Sequence, residues 1–447
     1  MDAVLHKSLN YTDSSMNQGV KAKSYRYKMS PEGGSSYSGS QDIRFKLPSN
    51  LFATYADIAH RTYLKFKITP VGSDLKLEKA GIQSVINRFL IQSQSQAIFD
   101  CQNWHVLANA MVDLQQDQIY KSNVGALVSG QGCNNYGQLL DDGTTYSFTI
   151  PLILNPLTQG NNYLPLFARE EIEIILTLND IASYGHWAGA ATSAIIKDVE
   201  LVSDLIQLSP QSQAEVEAMS GNRFTILTTG INNSNKNLSN GVLSNTSTVD
   251  VNVNFLDKII CCWRPATVLN NSGAFTGGGR CNPSLSSVQL SINSMQYPNL
   301  PVKGSVGNTS EFLSETLLAM NMLNHTNHPC SLNALGSTDT TVTVAGTATS
   351  SPYNFIESAA SAPAIKQALA TTADGLNTGS FVFGLNLTSL NQDTNELFNG
   401  VSTIGSSVQL KTTHSAMAND VVQDVFCFYN QKLELDMNTD KTWLVSM

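Results

Sequence analysis

Strict two-residue alternation constrains this chain more than any other feature of its sequence. In "RTYLKFKITP", Tyr63, Lys65 and Lys67 alternate with Leu64, Phe66 and Ile68. In "EEIEIILTL", Ile172, Ile174, Leu176 and Leu178 alternate with Glu171, Glu173, Ile175 and Thr177. A period of two sends successive side chains to opposite faces of a pleated strand, so each segment predicts a strand with one face in a core and the other in solvent. "STVDVNVNF" repeats the pattern later, with Val251, Val253 and Phe255 against Asp250, Asn252 and Asn254.

The strand-like text runs in the same order twice. From Asp42, "DIRFKLP", "RTYLKFKITP" and "IQSVINRFLIQSQSQAIFD" read as strands, "NWHVLANAMVDLQ" as a short helix with Trp104, Leu107, Met111 and Leu114 on one side, and "SGQGCNNYGQLLDDGTT" as a polar loop. "YSFTIPLILNPL" (146–157), the alternating Ile172 strand and "AIIKDVELVSDLIQL" follow. The later half replays this with "FLDKIICCWRP", "SVQLSINSMQYP", a helix in "TSEFLSETLLAMNML", a long weakly apolar loop, "GSFVFGLNLTSL" (379–390), "SSVQLKTT", "DVFCFYNQKLELDM" and "KTWLV". The two echo strands share Ser147/Ser380, Phe148/Phe381, Leu152/Leu385, Leu154/Leu387 and Leu157/Leu390. That match alone is within the reach of chance; the shared order of elements is what makes a structural repeat of it.

Between the halves, "SPQSQAEVEAMSGN" carries a complete set of helix signals: Ser209 as N-cap, Pro210 at the first helical position and Gly221 as a stop. The expected fold is all-β, two tandem eight-stranded jelly rolls joined by a short helix, with small helices and long loops inserted. Its expected divisions are a flexible N-terminal arm over 1–41, a first roll over 42–208, the connecting helix over 209–221 and a second roll over 222–447.

Composition narrows what such a fold could do. Only 14% of the residues are charged and the net charge is −9, which argues against a nucleic-acid-binding body, because phosphate neutralisation needs a basic surface. No secretory signal and no long apolar span are visible, so the chain reads as soluble and made in a reducing compartment. Cys101, Cys133, Cys261, Cys262, Cys281, Cys330 and Cys427 are irregularly spaced and read as buried free thiols, with Cys261 and Cys262 on opposite faces of one strand. The sequons at Asn237, Asn308 and Asn386 read as accidents of an Asn- and Ser-rich composition.

Candidate chemistry is sparse, and no enzyme is expected. His325, His328 and Cys330 in "HTNHPC" could present three metal ligands, but their spacing fits no common zinc motif and an exposed loop is the simpler reading. "TGGGR" (276–280) lacks the Lys-Ser/Thr of a phosphate loop and reads as a loop tip, and the acids of "LLDDG" and "REEIE" read as surface groups; no cofactor and no metal are expected. "KAKSYRYK" is the one segment with binding character: Lys21, Lys23, Arg26 and Lys28, interleaved with Tyr25 and Tyr27, could meet phosphates of DNA or lipid from a flexible terminus, or could simply pack on neighbouring subunits.

"DIRFKLPSN…RTYLKFKI", "NNYLPLFAREEIEIILTL", the capped helix after "LIQLSP", "VNFLDKIICCWRP", "LSINSMQYPNLPV" and "DVFCFYNQKLELDM", in this order over most of the chain, resemble the double jelly-roll major capsid proteins of icosahedral double-stranded DNA viruses, those of polinton-like viruses and virophages in feel. One departure is that many relatives carry His-Pro where Leu256-Asp257 stands here. The resemblance implies a structural protein made and assembled inside the host cell and located in the virion capsid. It implies homotrimers with a near-hexagonal outline and contacts to lattice neighbours, penton proteins and minor or cement proteins. A terminal arm at the inner capsid surface would place Lys21, Lys23, Arg26 and Lys28 near genome or internal membrane. Loops near 121–145, 265–283 and 325–352 would then form an outward tower or clasps between subunits. The alternative reading is a glycan-binding or adhesin-like β-sandwich protein.

Overall fold

The computed structural model describes residues 22–48, 55–57, 62–151, 163–166, 171–221, 223–304, 310–323, 341–344, 347–350, 381–388, 400–438 and 443–446, apart from 95, 133–136, 190–191, 267–268, 270–271, 274, 284, 415–416 and 418–419. Within them, sixteen strands build two jelly rolls. The first roll has β1 (Ala22–Met29), β2 (Asp42–Lys46), β3 (Tyr63–Val71), β4 (Ile86–Ser93), β5 (Gln96–Cys101), β6 (Tyr146–Pro151), β7 (Ile172–Leu178) and β8 (Ser193–Leu208). The second has β9 (Arg223–Leu238), β10 (Ser244–Thr248), β11 (Leu256–Pro265), β12 (Leu285–Ile292), β13 (Met295–Lys303), β14 (Phe383–Asn386), β15 (Val408–His414) and β16 (Val421–Asp436).

Sheet order in the first roll is β1-β8-β3-β6 over β2-β7-β4-β5. In the second it is β9-β16-β11-β14 over β10-β15-β12-β13. Adding eight to each strand of the first roll yields the second, and every pairing is antiparallel. The alternating segments behave as their pattern demands: Leu64, Phe66 and Ile68 of β3 and Ile172, Ile174, Leu176 and Leu178 of β7 are buried. Buried apolar side chains of both rolls merge into one continuous core.

The echo strands occupy the same place. β6 pairs with β3, Phe148 opposite Phe66 and Ile150 opposite Leu64, and β14 pairs with β11, Phe383 opposite Cys261 and Leu385 opposite Ile259. Leu152 and Leu154 lie outside the described residues.

Among the described residues, three helices of ten or more residues complete the frame: α1 (Trp104–Gln115), α2 (Pro210–Met219) and α3 (Ser310–Ala319). α2 joins the rolls as its sequence signals specify, with the Ser209 hydroxyl accepting from the Ser212 N–H at 3.2 Å and Gly221 at a φ of 63°.

Three expectations are overturned. Residues 22–41 are not a loose tether, because Ala22–Met29 pairs residue for residue with Leu208–Leu201 of β8 and Ser36–Tyr37 pairs with Lys197–Ile196. The long β8 needs a partner along its far half, and a buried row of unmatched N–H and C=O groups is too costly to leave open. Residues 250–255 form no ladder; their valines are buried, but Val253 bonds instead to Thr403 through N–H to Oγ1 at 2.8 Å and C=O to N–H at 2.8 Å. α1 is buried not on one side but along all of Trp104–Leu114.

Candidate functional site

α1 is enclosed because it stands between the two rolls. Toward its own roll it presents Trp104, which meets Phe89 and Phe99 edge-to-face at 5.0 and 6.4 Å, together with Leu107, Met111 and Leu114. His105, Asn109 and Asp113, spaced four apart and so stacked along one stripe, are also buried. This polar stripe meets the connection between β11 and β12, residues 266–284. The expected loop tip "TGGGR" is therefore no tip: Phe275, Thr276, Arg280, Cys281 and Asn282 are all at most 4% exposed.

The joint is a set of polar contacts between side chains far apart in sequence. Glu78, at 0% exposure, accepts from the backbone N–H groups of Gly277 at 2.8 Å and Gly278 at 3.0 Å, and also from the Asn109 amide. Asn109 is itself fixed by the Ala80 N–H, which donates to its Oδ1 at 3.0 Å. Asp113 takes the Lys121 ammonium at 2.8 Å and the Arg280 guanidinium. Arg264 donates through Nε and Nη2 to Asp424 at 2.9 and 2.7 Å and through Nη1 to the Thr276 carbonyl at 2.9 Å. Asn103, ahead of α1, donates to the other Asp424 oxygen at 3.1 Å. Further bonds tie the rolls along the seam: Gln431 to the Ile98 carbonyl, Asn233 to the Gln102 carbonyl, and the Trp187 N–H to the Ser272 carbonyl.

Burial governs the electrostatics here. It works to raise the Asp113 carboxyl, but Lys121, Lys79 and Arg280 overcome it and hold that group well below the usual carboxylate range. Burial pushes Glu78 up to about 7, against the bonds from Gly277, Asn109 and Gly278 and the charge of Arg264. His105 is driven down by burial and by Arg264, so its imidazole is neutral. Asp113–Arg280, the buried ion pair that spans the rolls, and the flanking pairs Asp113–Lys121 and Arg264–Asp424 are closed to water, so breaking one leaves a buried charge unmatched.

The fit is steric as well. A Cβ on Gly277 would lie 2.7 Å from Glu78 Oε2, 2.9 Å from His105 Cδ2 and 3.0 Å from Asn109 Nδ2, so only glycine fits. The expectation that 265–283 forms an outward tower or a clasp between subunits is not met by its described residues 275–282, which are buried against this same chain. Residues 121–129 are helical turns anchored by the buried Lys121, and 325–340 lie outside the described residues.

The basic segment is split by its own strand. Lys21 lies outside the described residues; Lys23 is exposed; Arg26 donates to Asp204 at 3.0 Å, and Lys28 lies 3.5 Å from Glu200. Tyr25 packs on the core and Met29 is buried, so the period of two puts Arg26 and Lys28 on the face opposite Lys23. A bulge in β8 at Asp198, φ 51°, turns both Asp198 and Glu200 toward Lys67 and Lys65 of β3. This face is a ladder of matched charges, with Arg26 and Lys28 exposed and Asp204 buried beneath its partner.

Among the described residues no cluster of three His, Cys, Asp or Glu could hold a metal, and His325, His328 and Cys330 fall outside them. Cys101, Cys261, Cys262, Cys281 and Cys427 are buried free thiols, and burial raises Cys262 to about 11 and Cys427 to about 12. Cys261 and Cys262 point to opposite faces, and both are covered: Cys261 sits by Cys427, Cys262 by Arg280 and Asp424 of the joint. Asp141 and Asp142 of "LLDDG" brace a turn, accepting from the Tyr146 hydroxyl at 2.9 Å and the Gly72 N–H at 2.7 Å.

Two eight-stranded jelly rolls in one chain, locked by a buried joint, define a double jelly roll. Solved viral capsid structures share it. The chain superposes on a quasi-atomic model of the PBCV-1 virus capsid with a TM-score of 0.61 at 11% identity, over 96% of this chain and 97% of that one. It superposes on the Sputnik virophage cryo-EM structure at 0.58 and 13% identity, over 100% and 93%, and on the Faustovirus major capsid protein at 0.55 and 8%, over 93% and 90%. No protein-family model and no curated protein matches the sequence. The fold is thus the double jelly roll of viral major capsid proteins.

Proposed function

We propose that this chain is the major capsid protein of an icosahedral double-stranded DNA virus, a structural building block of the virion shell. The observation that carries the reading is the near-complete match of both rolls, end to end, to capsid subunits. The joint supports it: a subunit that must present fixed faces to many neighbours gains from having its two rolls held in one orientation by buried, geometrically specific pairs. A low charge density favours contact among like copies.

Three copies, six rolls, would make the near-hexagonal capsomer, with obligate contacts of more than about 2,000 Å². Exposed Ile119, Val124 and Leu127 on one roll and Met295 and Leu300 on the other are apolar surface such contacts would cover. Penton and minor or cement proteins would be further partners. Lys21 and Lys23 would be the residues left to meet genome or internal membrane, since Arg26 and Lys28 are matched within the sheet.

The glycan-binding alternative is not supported by an exposed tryptophan. All four tryptophans (Trp104, Trp187, Trp263 and Trp443) are at most 3% exposed. The deciding experiment is the solution mass of the purified 48.3 kDa chain with electron microscopy of the particles. A trimer of near-hexagonal outline is expected, and a stable monomer with affinity for sugars would overturn the proposal.

A further inference from the structure

The joint is built head to tail. The first roll offers an edge, β5, and the second roll receives it with β9 and β16: Asn233 donates to the Gln102 carbonyl at 3.0 Å and Gln431 to the Ile98 carbonyl at 2.9 Å. Because the rolls repeat one plan, each holds the counterpart of what the other has used. The second roll has its own edge in β13, and the first has its own receiving strand in β1. Both counterparts are exposed in the single chain. On β13, Met295 is 66% and Leu300 71% exposed, and Lys303 is exposed at its end. On β1 and the turn after it, Tyr27, Lys28, Ser30 and Glu32 are exposed.

Register within the repeat fixes which residues correspond. The β4–β5 and β12–β13 hairpins turn through Gln94 and Asn293, both at positive φ (52° and 54°), which makes Gln96 the equivalent of Met295. At the far end Phe89 pairs with Cys101 and Val288 with Val302, so Gln102 corresponds to Lys303. β8 and β16 are both 16 residues long, and their neighbours begin alike, Ala22 opposite Leu208 and Arg223 opposite Asp436. Counting along from there, Tyr27 corresponds to Thr228 and Glu32 to Asn233. Gln431, which holds Ile98, stands opposite Thr228, so the equivalent start of β13 falls level with Tyr27. The contact of Gln102 with Asn233 inside the chain has as its unused equivalent Lys303 and Glu32, a pair of opposite charge.

We infer that a second copy of this chain docks at these ends: β13 of one copy lies along β1 and the turn after it in the next copy, with Lys303 against Glu32 and Met295 beside Tyr27. The contact rests on the capsid assembly proposed above and specifies the surface that makes it. A head-to-tail contact joins unlike surfaces and propagates until a ring closes, so three copies cover three edges and three receiving strands and leave none open. Met295 and Leu300 supply the apolar area, whereas an exposed ion pair adds little affinity and fixes which edge meets which strand. Glu32 meets Lys46 through Oε1 at 3.4 Å, and its Oε2 can accept a second cation.

The test is cross-linking between copies. Chains carrying Glu32→Cys and chains carrying Lys303→Cys are mixed, oxidised and run on a gel without reductant, with the unmodified chain as the blank for native thiols. A band of two chains is expected from the mixture and from neither variant alone, and the doubly substituted chain should give covalent trimers. Both positions are exposed, so neither change disturbs the fold. Met295→Asp combined with Leu300→Asp should raise the concentration at which trimers dissociate by at least about tenfold. A trimer that forms no mixed cross-link, or one indifferent to the charges placed at 295 and 300, overturns this contact and leaves the capsid reading standing. A chain that stays monomeric at every concentration overturns that reading and the contact with it.

Discussion

α1 and α3 sit in equivalent connections, β5 to β6 in the first roll and β13 to β14 in the second, yet they do opposite things. α1 is buried on all sides, with its polar stripe of His105, Asn109 and Asp113 against the partner roll. α3 buries only Phe312, Thr316 and Ala319, while Ser310, Glu311, Ser314 and Leu318 are exposed. Their target strands differ to match. β6 leaves Ser147 exposed and buries Phe148 and Ile150, whereas Phe381 to Leu385 are buried without a break because α3 lies over β14. The Thr316 hydroxyl accepts from the Gly384 N–H at 2.9 Å, and Phe312 meets Phe383 edge-to-face at 5.7 Å. The same slot in the same fold thus supplies a joint in one roll and a lid on the sheet in the other. What differs is whether a second roll is available to receive the helix's other face.

The contrast can be broken from the joint side first. Asp113→Ala leaves Lys121 and Arg280 buried without their carboxylate, and should lower stability by about 3–5 kcal/mol in chemical denaturation. Asp113 also sets an acid limb. Its folded carboxyl lies below the ordinary 3.8, so its contribution is present above pH 3.8 and lost as pH falls below it. Unfolding followed against pH should show that limb shallower in Asp113→Asn.

On the lid side, Phe312→Ala empties a fully buried site against Phe383 and should cost about 3–5 kcal/mol, while sparing the exchange protection of Gly277 and Gly278 in the joint. Gly277→Ala forces a Cβ into Glu78 and His105 and should cost about 1–3 kcal/mol. Gly278→Ala, whose nearest neighbour would be 3.6 Å away, should be close to neutral, so the paired melting curves separate a steric lock from a general loop effect. Smallest of all, Leu318→Ser on the open face of α3 should change stability by less than about 0.5 kcal/mol, where any residue of α1's polar stripe would not be so tolerant.

The sequence was most legible where a residue's role depends on its near neighbours. Alternation in β3 and β7 announced one-sided burial, and Ser209, Pro210 and Gly221 announced α2 with its ends. The echo of β6 in β14 announced the repeat. In the basic segment composition and period point different ways: "KAKSYRYK" has the charge of a tether, but Tyr25, Tyr27 and Met29 alternate with Arg26 and Lys28 as a strand does. For the joint, a signal was present in the four-residue spacing of His105, Asn109 and Asp113, but that stripe reads equally as a solvated face until something is known to cover it.

Strand order, the capped linker and the twofold repeat were therefore determined by the sequence itself, because each is written in local periodicity and local hydrogen-bond needs. Only the tertiary structure decided that Glu78 meets Gly277, 199 residues away, and that Asp113 meets Arg280, 167 residues away. Burial of a polar group depends on what the rest of the chain places over it, and the same carboxylate that is ordinary in water becomes, once covered, the group that holds two rolls together.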